Sequence, residues 1–303
     1  MQQNQVRSIV YTLQQNIRRV IVGKDEAIEL ALIALLCKGH VLIEDVPGVG
    51  KTTLVAALAR SLSCSFKRIQ FTPDVTPSDI TGFTMPSLQT GEMEYKSGAV
   101  MSQIVLADEI NRTSPRTQSS LLEVMEEGQV TVDGVTHPLP RPFMVLATQN
   151  PVDFVGTYPL PEAQMDRFFL RITIGYPSIE EEMDVLERYS GQASPLSSLQ
   201  SVCGAGDVVA MQELVGGHIE VIDYQGACLI CNEDGKLLGL EPNRRIGQDV
   251  IVGTFFLANS DLEGRMFSLS EEDLALFQQQ FAQPEALTQK DVQNAFGFKF
   301  YSM

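Results

Sequence analysis

The stretch Val41-Leu42-Ile43-Glu44-Asp45-Val46-Pro47-Gly48-Val49-Gly50-Lys51-Thr52-Thr53 decides the fold. Val41–Ile43 reads as a short buried strand, the glycines follow at once, and Thr52–Leu62 then carries helical spacing. Strand, tight turn and helix is the context a phosphate-binding loop requires. Glycines let backbone N–H groups converge on phosphate oxygens, and the helix N-terminus adds partial positive charge. In this pattern Lys51 reaches the β- and γ-phosphates and the Thr52 hydroxyl ligates Mg²⁺. Pro47, Gly48, Val49, Gly50 and Thr53 complete the cradle. Asp45 stands where the pattern has its first glycine, and aspartate tolerates unusual φ better than most residues. The competing reading is a glycine-rich turn that holds no ligand.

Outward from this loop, short β-rich runs alternate with helical stretches, which predicts an α/β fold with a parallel sheet flanked by helices. Gln5–Val20, Gln118–Glu126 and Ser178–Tyr189 read as helices, the last opening on a Ser178/Glu181 capping box. Phe66–Phe71, Ile104–Ala107, Phe143–Thr148 and Arg171–Ile174 read as strands. Asp133-Gly134 marks a hairpin, and Thr81–Met101, with Thr90-Gly91 inside it, reads as a second one.

Two further motifs fall at strand ends on the edge where open α/β sheets bind ligands. Ile104–Ala107 runs into Asp108 and Glu109: Asp108 suits Mg²⁺, and Glu109 suits orienting and polarising an attacking water. The alternative is a solvated strand end. Phe143–Thr148 runs into Gln149-Asn150-Pro151, where Asn150 is placed to hydrogen-bond a γ-phosphate or the water. Its alternative role is that of a turn residue.

Composition bounds the function. The formal net charge of −16 argues against a general nucleic-acid or anionic-membrane surface. No apolar run reaches the roughly 18–20 residues of a membrane span. The polar Met1–Gln5 segment has no apolar signal region, so the expected location is cytoplasmic. Five cysteines without framework spacing favour reduced thiols. Cys228 and Cys231 lie on a strand-like run, which favours packing over metal or redox chemistry.

Taken together, these elements resemble the MoxR family of AAA+ ATPases. The resemblance is carried by Gly39–Thr53, Lys67–Gly82, Ile104–Arg112, Met125–Arg141, Ala147–Pro151, Gly156–Phe168 and Ile174–Glu182, and spans roughly residues 5–215. It implies an AAA+ P-loop NTPase that uses ATP and Mg²⁺, with Val22 and Gly23 in the segment that contacts adenine. The two hairpins become the helix-2 insert and the pre-sensor-1 hairpin. Arg167 becomes an arginine finger projected into a neighbouring subunit's site, its alternative being a salt bridge with Asp166 or Glu162. The resemblance also implies a homo-oligomeric ring of hexamer type, a chaperone-like or remodelling role, and partners containing von Willebrand A domains.

After about residue 190 the character changes. Ser190–Ser198 reads as a linker. The Ser-Pro-Arg-Ala-type sensor 2 of a MoxR lid has no counterpart, because Ser194-Pro195-Leu196 lacks the arginine. The expected organisation is therefore an ATPase core over 1–190, a linker with the start of a truncated lid over 191–215, and a small α+β domain over 216–303. Val209–Pro284 resembles a domain of unknown function from phages and mobile elements. Its strands are expected at Ile219–Asp223, Ala227–Cys231 and Asp249–Leu257, with a helix over Ser270–Phe281. Arg244 and Arg245 read as a surface turn, and His218 as a packing or backbone-bonded residue. Two rival readings stand beside ATP hydrolysis. One is a nucleotide-binding module with little turnover. The other is a recombined fusion in which loss of sensor 2 weakens activity or makes it depend on co-assembly with an intact relative.

Overall fold

Strand formation in the first half follows its apolar runs. In the computed structural model, five parallel strands form one sheet: β1 Val41–Glu44, β2 Phe66–Gln70, β3 Ile104–Asp108, β4 Met144–Gln149 and β5 Leu170–Ile172. Their order is β2-β3-β4-β1-β5, with β1 seated between β4 (Val41 beside Leu146) and β5 (Val41 beside Leu170). Every residue of β3 is buried, as are the first five of β4. Near-continuous apolar strands are what a sheet covered on both faces requires. The structure describes residues 3–87, 91–150, 156–190, 194–215, 219–232, 235–236, 239–247, 249–253, 255–260, 266–267, 269–283 and 285–295. The chain divides into two compact units, Met1–Met211 and Gln212–Met303.

Among the described residues, the helices of the first unit include α1 Gln3–Arg18, α2 Asp25–Leu36, α3 Lys51–Ser61, α4 Pro77–Thr81, α5 Pro115–Glu127, α6 Glu162–Met165, α7 Ile179–Tyr189 and α8 Pro195–Ser198, the last a helical turn inside the stretch read as a linker. Helix α2 is an addition to the sequence reading. Its Ala27, Ile28, Leu30, Ala31, Leu32, Ala34, Leu35 and Leu36 are all buried, so it is apolar almost all round and shows no amphipathic period. The Ser178/Glu181 capping box of α7 is present, Glu181 accepting from Ser178 N at 2.7 Å and Ser178 Oγ from Glu181 N at 3.2 Å. Both expected hairpins form, over Gly82–Pro86/Met93–Ser97 and Gln129–Val132/Val135–Pro138; Thr90 lies outside the described residues. The hairpins touch through a stacked Tyr95–His137 pair with ring centroids 3.9 Å apart.

His40, just before β1, is buried. Its Nε2 faces the Met125 carbonyl at 3.2 Å, and its Nδ1 accepts from Val145 N at 3.0 Å. An acceptor Nδ1 fixes the neutral tautomer, and burial holds the pKa down at about 4 from an ordinary 6.5. The unfolded chain therefore binds this proton first. The stabilisation from neutral His40 is complete above pH 6.5 and is lost as the pH falls from 6.5 toward 4. That loss amounts to about 3 kcal/mol at one pKa unit per 1.36 kcal/mol. Urea unfolding of His40→Gln is expected to show a shallower decline over this window than the unaltered chain. Parallel pH profiles would overturn the assignment.

In the second unit, Ile219–Tyr224 and Ala227–Asn232 pair antiparallel, and Phe256–Ser260 and Met266–Phe267 extend that sheet. Asp249–Leu257 is not one strand. Gly253 takes φ +70 and its N–H bonds the Glu241 carbonyl at 2.8 Å, turning the chain. Asp249–Val252 then pairs with Pro242–Ile246, whereas Phe256–Ser260 joins the other sheet. Arg244 and Arg245 consequently lie in a strand and not in a surface turn. Arg244 is buried, donates to the Phe281 carbonyl at 2.8 Å and sits 5.1 Å from that ring's centroid. Cys231 packs with Leu229 and Ile251, while the Cys228 Sγ lies 3.3 Å from Ser260 Oγ. All five cysteines are free thiols, and burial pushes Cys37 up to about 12. Glu271–Gln280 is helical behind its Ser270 cap. His218 lies outside the described residues.

Candidate nucleotide site

Several of the parallel strands lead into polar residues at the same carboxyl edge. β1 leads into the glycine turn, β3 ends in Asp108, and β4 ends at Gln149 just before Asn150. A cavity of about 360 Å³ opens there, lined by Pro47, Gly48, Gly50, Lys51, Thr52, Thr53, Arg68, Gln70, Asp108 and Glu109. The fold thus gathers eight of the residues singled out from sequence. Val49 is buried beneath the turn.

Gly50 takes φ +90 with open space where a Cβ would stand, so the need for glycine there is conformational, not steric. It caps α3, and the first N–H groups of that helix are orphan donors available to an anion. Asp45 owes its place to hydrogen bonding and not to an unusual φ. Its Oδ2 accepts from Ile174 N and Gly175 N at 2.7 Å each, and its Oδ1 from Val46 N at 2.9 Å. The side chain thereby ties the turn to the segment after β5. Lys51 is buried, and its Nζ donates to the Asp45 carbonyl at 2.9 Å. Burial lowers its pKa, opposed by Asp108, Asp45 and Glu109.

Across the cavity, the two carboxylates are held from several sides. Thr148 Oγ1 donates to Asp108 Oδ1 at 2.6 Å, while Arg68 Nε and Nη2 reach Asp108 Oδ2 at 3.1 and 2.6 Å. Arg68 Nη2 also donates to Gln70 Oε1 at 2.6 Å, and Gln70 Nε2 to Glu109 Oε2 at 3.0 Å. Arg112 Nε lies 3.1 Å from the same Glu109 oxygen. Glu109 itself sits at φ 57, ψ 50, a region costing a non-glycine residue about 1–3 kcal/mol. Its N–H donates to Thr148 Oγ1 at 2.8 Å. Arg68 and Gln70 were not among the residues singled out. The available signal was their i, i+2 spacing at the carboxyl end of β2, which puts both on one face of the strand.

The remaining candidates lie off the cavity wall. Asn150 is buried at the end of β4, and its carbonyl accepts from Asn111 Nδ2 at 3.4 Å. Val22 and Gly23 form the turn between α1 and α2. Gly23 takes φ +67, and a Cβ there would fall 1.6 Å from Glu181 Oε1, so α7 packs directly on this turn. Lys24 Nζ adds a bond to the Tyr176 carbonyl at 2.9 Å. Arg167 pairs with Glu126 (Nε 2.9 Å, Nη2 2.8 Å), not with Asp166 or Glu162. The Thr52 hydroxyl and the Asp108 and Glu109 carboxylates are hard oxygen donors on one cavity, the ligand type Mg²⁺ takes. Asp108 Oδ2 already accepts a cationic group. The residues fit this metal.

Comparison with known proteins agrees with this geometry. Residues 40–170 match the family model of the ATPase family associated with various cellular activities (AAA), and residues 191–282 match a domain of unknown function, DUF3846. The chain is 57% identical to the uncharacterized protein YeaC of Bacillus subtilis over 201 residues, covering 66% of this chain and 62% of that protein. It is 43% identical to the chaperone MoxR1 of Mycobacterium tuberculosis over 237 residues, 76% of this chain and 62% of MoxR1. A crystal structure of a candidate ATPase from Cytophaga hutchinsonii superposes with a TM-score of 0.64 at 42% identity, covering 69% of this chain and 63% of that one. The chain thus spans about 62% of the length of the two relatives. Among the described residues, no helix is long and apolar enough to cross a membrane. Over its first unit the chain is thus similar to MoxR-type AAA+ proteins, and the segment that matches DUF3846 lies C-terminal to that core.

Proposed function

We propose that this protein binds ATP with Mg²⁺ and hydrolyses it to ADP and phosphate. The observation that supports the reading best is the shared cavity of Lys51, Thr52, Asp108 and Glu109. Lys51 and the N–H groups at the start of α3 hold the phosphates, and Thr52 and Asp108 hold the metal. A bound Mg²⁺ supplies charge neutralisation on the phosphate oxygens. Glu109 orients and polarises the attacking water, and Asn150 hydrogen-bonds that water or the γ-phosphate. Val22 and Gly23 contact adenine. Arg167 acts in a neighbouring subunit's site, exchanging Glu126 for the terminal phosphate within a ring of identical chains or a co-assembly with an intact relative. Remodelling of protein substrates, with a von Willebrand A domain protein as partner, is the cellular role that fits a MoxR-type core. The location that goes with this role is the cytoplasm.

The test is phosphate release from ATP by the full chain with and without Mg²⁺. Steady release that requires the metal is the expected result. Nucleotide binding without any metal-dependent product would replace hydrolysis by simple binding.

A further inference from the structure

The Asp108 oxygen that a metal ion would use is held by Arg68, a residue with no part in the chemistry proposed so far. Both Nε and Nη2 of Arg68 converge on Oδ2, at 3.1 and 2.6 Å, while Thr148 takes Oδ1. The two sides of this pair differ in exposure. The Asp108 side chain is 11% exposed and fixed, whereas that of Arg68 is 46% exposed. Ion pairs with one half-exposed partner contribute little net stability, so the guanidinium leaves at small cost. Arg68 also shares the cavity wall with Gly48, Lys51 and Thr52, so its alternative partner is whatever fills that cavity. Guanidinium groups bind phosphate as well as carboxylate, in the same two-pronged geometry. An arginine and a divalent cation cannot both take one carboxylate oxygen at full strength.

We propose that Arg68 exchanges partners on nucleotide binding: it leaves Asp108 Oδ2 to the metal and moves to the terminal phosphate of a nucleoside triphosphate. It would thereby discriminate triphosphate from diphosphate within its own subunit. A diphosphate leaves Arg68 without that new partner, so the guanidinium keeps competing with the metal for Asp108. This inference rests on the assignment of the cavity to magnesium nucleotide.

The experiment is calorimetric titration of the full chain with ADP and with a non-hydrolysable ATP analogue, at stepped Mg²⁺ concentrations. Arg68→Ala is expected to weaken analogue binding about tenfold, the loss of one charge-assisted contact. ADP affinity at saturating Mg²⁺ is expected to stay within about twofold, and the Mg²⁺ concentration that half-saturates ADP binding to fall several-fold. Arg68→Lys, which keeps the charge without the fork, recovers part of the triphosphate preference. If the triphosphate-to-diphosphate ratio or the Mg²⁺ midpoint is unmoved in both variants, the exchange does not occur. An unaltered chain that binds neither nucleotide would instead overturn the site assignment itself. A merely structural Arg68 would shift the thermal midpoint and leave both quantities unchanged.

Discussion

Glu109→Gln is expected to lower metal-dependent phosphate release by a factor of about 10²–10⁴, the range for removing a positioned general base. The substitution is close to isosteric, so the effect isolates charge and basicity from shape. Gln70 Nε2 donates to Glu109 Oε2 at 3.0 Å and Arg112 lies 3.1 Å from the same atom. A glutamine oxygen can still accept from Gln70, and what is lost toward Arg112 is an ion-pair attraction. The backbone that places the side chain is fixed independently, by the 2.8 Å bond from Glu109 N to Thr148 Oγ1. Nucleotide affinity should therefore change by no more than a few-fold. The lost Glu109–Arg112 attraction involves a 42% exposed arginine, which limits its contribution to about 1 kcal/mol or less. A colorimetric phosphate assay on matched preparations decides the matter. Equal rates in the two proteins would end the claim that Glu109 activates water.

What the sequence made legible follows from which signals are local. The strand–turn–helix around Lys51 and the Asp108-Glu109 pair at a strand end are contiguous in the chain. Their coming together at one sheet edge follows from parallel topology alone. The Asp133-Gly134 hairpin and the Ser178/Glu181 cap are local in the same sense. Helix α2 was illegible because burial on nearly all sides erases the amphipathic period that marks a surface helix. The role of Asp45 was illegible because its partners, Ile174 N and Gly175 N, lie about 130 residues away in sequence. Arg68 and Gln70 were hidden for a similar reason. Polar residues alternating on a strand look like a solvated face until β3 is set beside β2 and brings Asp108 within 2.6 Å. The second unit shows the opposite failure, in which a β-rich stretch over 249–257 suggested one strand. A single left-handed glycine at 253 divides it between two sheets.

Lys51→Ala is expected to reduce magnesium-nucleotide affinity by about 100-fold or more, measured by calorimetry with ADP. Removing one member of a buried, hydrogen-bonded charge pair costs about 2–5 kcal/mol. Lys51 is the cation buried in the wall of the cavity, and Asp45, Asp108 and Glu109 all act on it electrostatically. Without its ammonium group, that part of the wall presents net negative charge to a polyphosphate, so repulsion adds to the lost contact. The fold has less to lose. Burial lowers the pKa of Lys51, which means that keeping it charged opposes stability. The one hydrogen bond its side chain makes among the described residues, to the Asp45 carbonyl at 2.9 Å, offsets only part of that cost. The alanine variant should consequently unfold at a temperature close to that of the unaltered chain, while its nucleotide titration becomes flat. A folded variant that retains full affinity would mean that the glycine turn is not the phosphate site. Such a result would remove the basis for every role assigned around it.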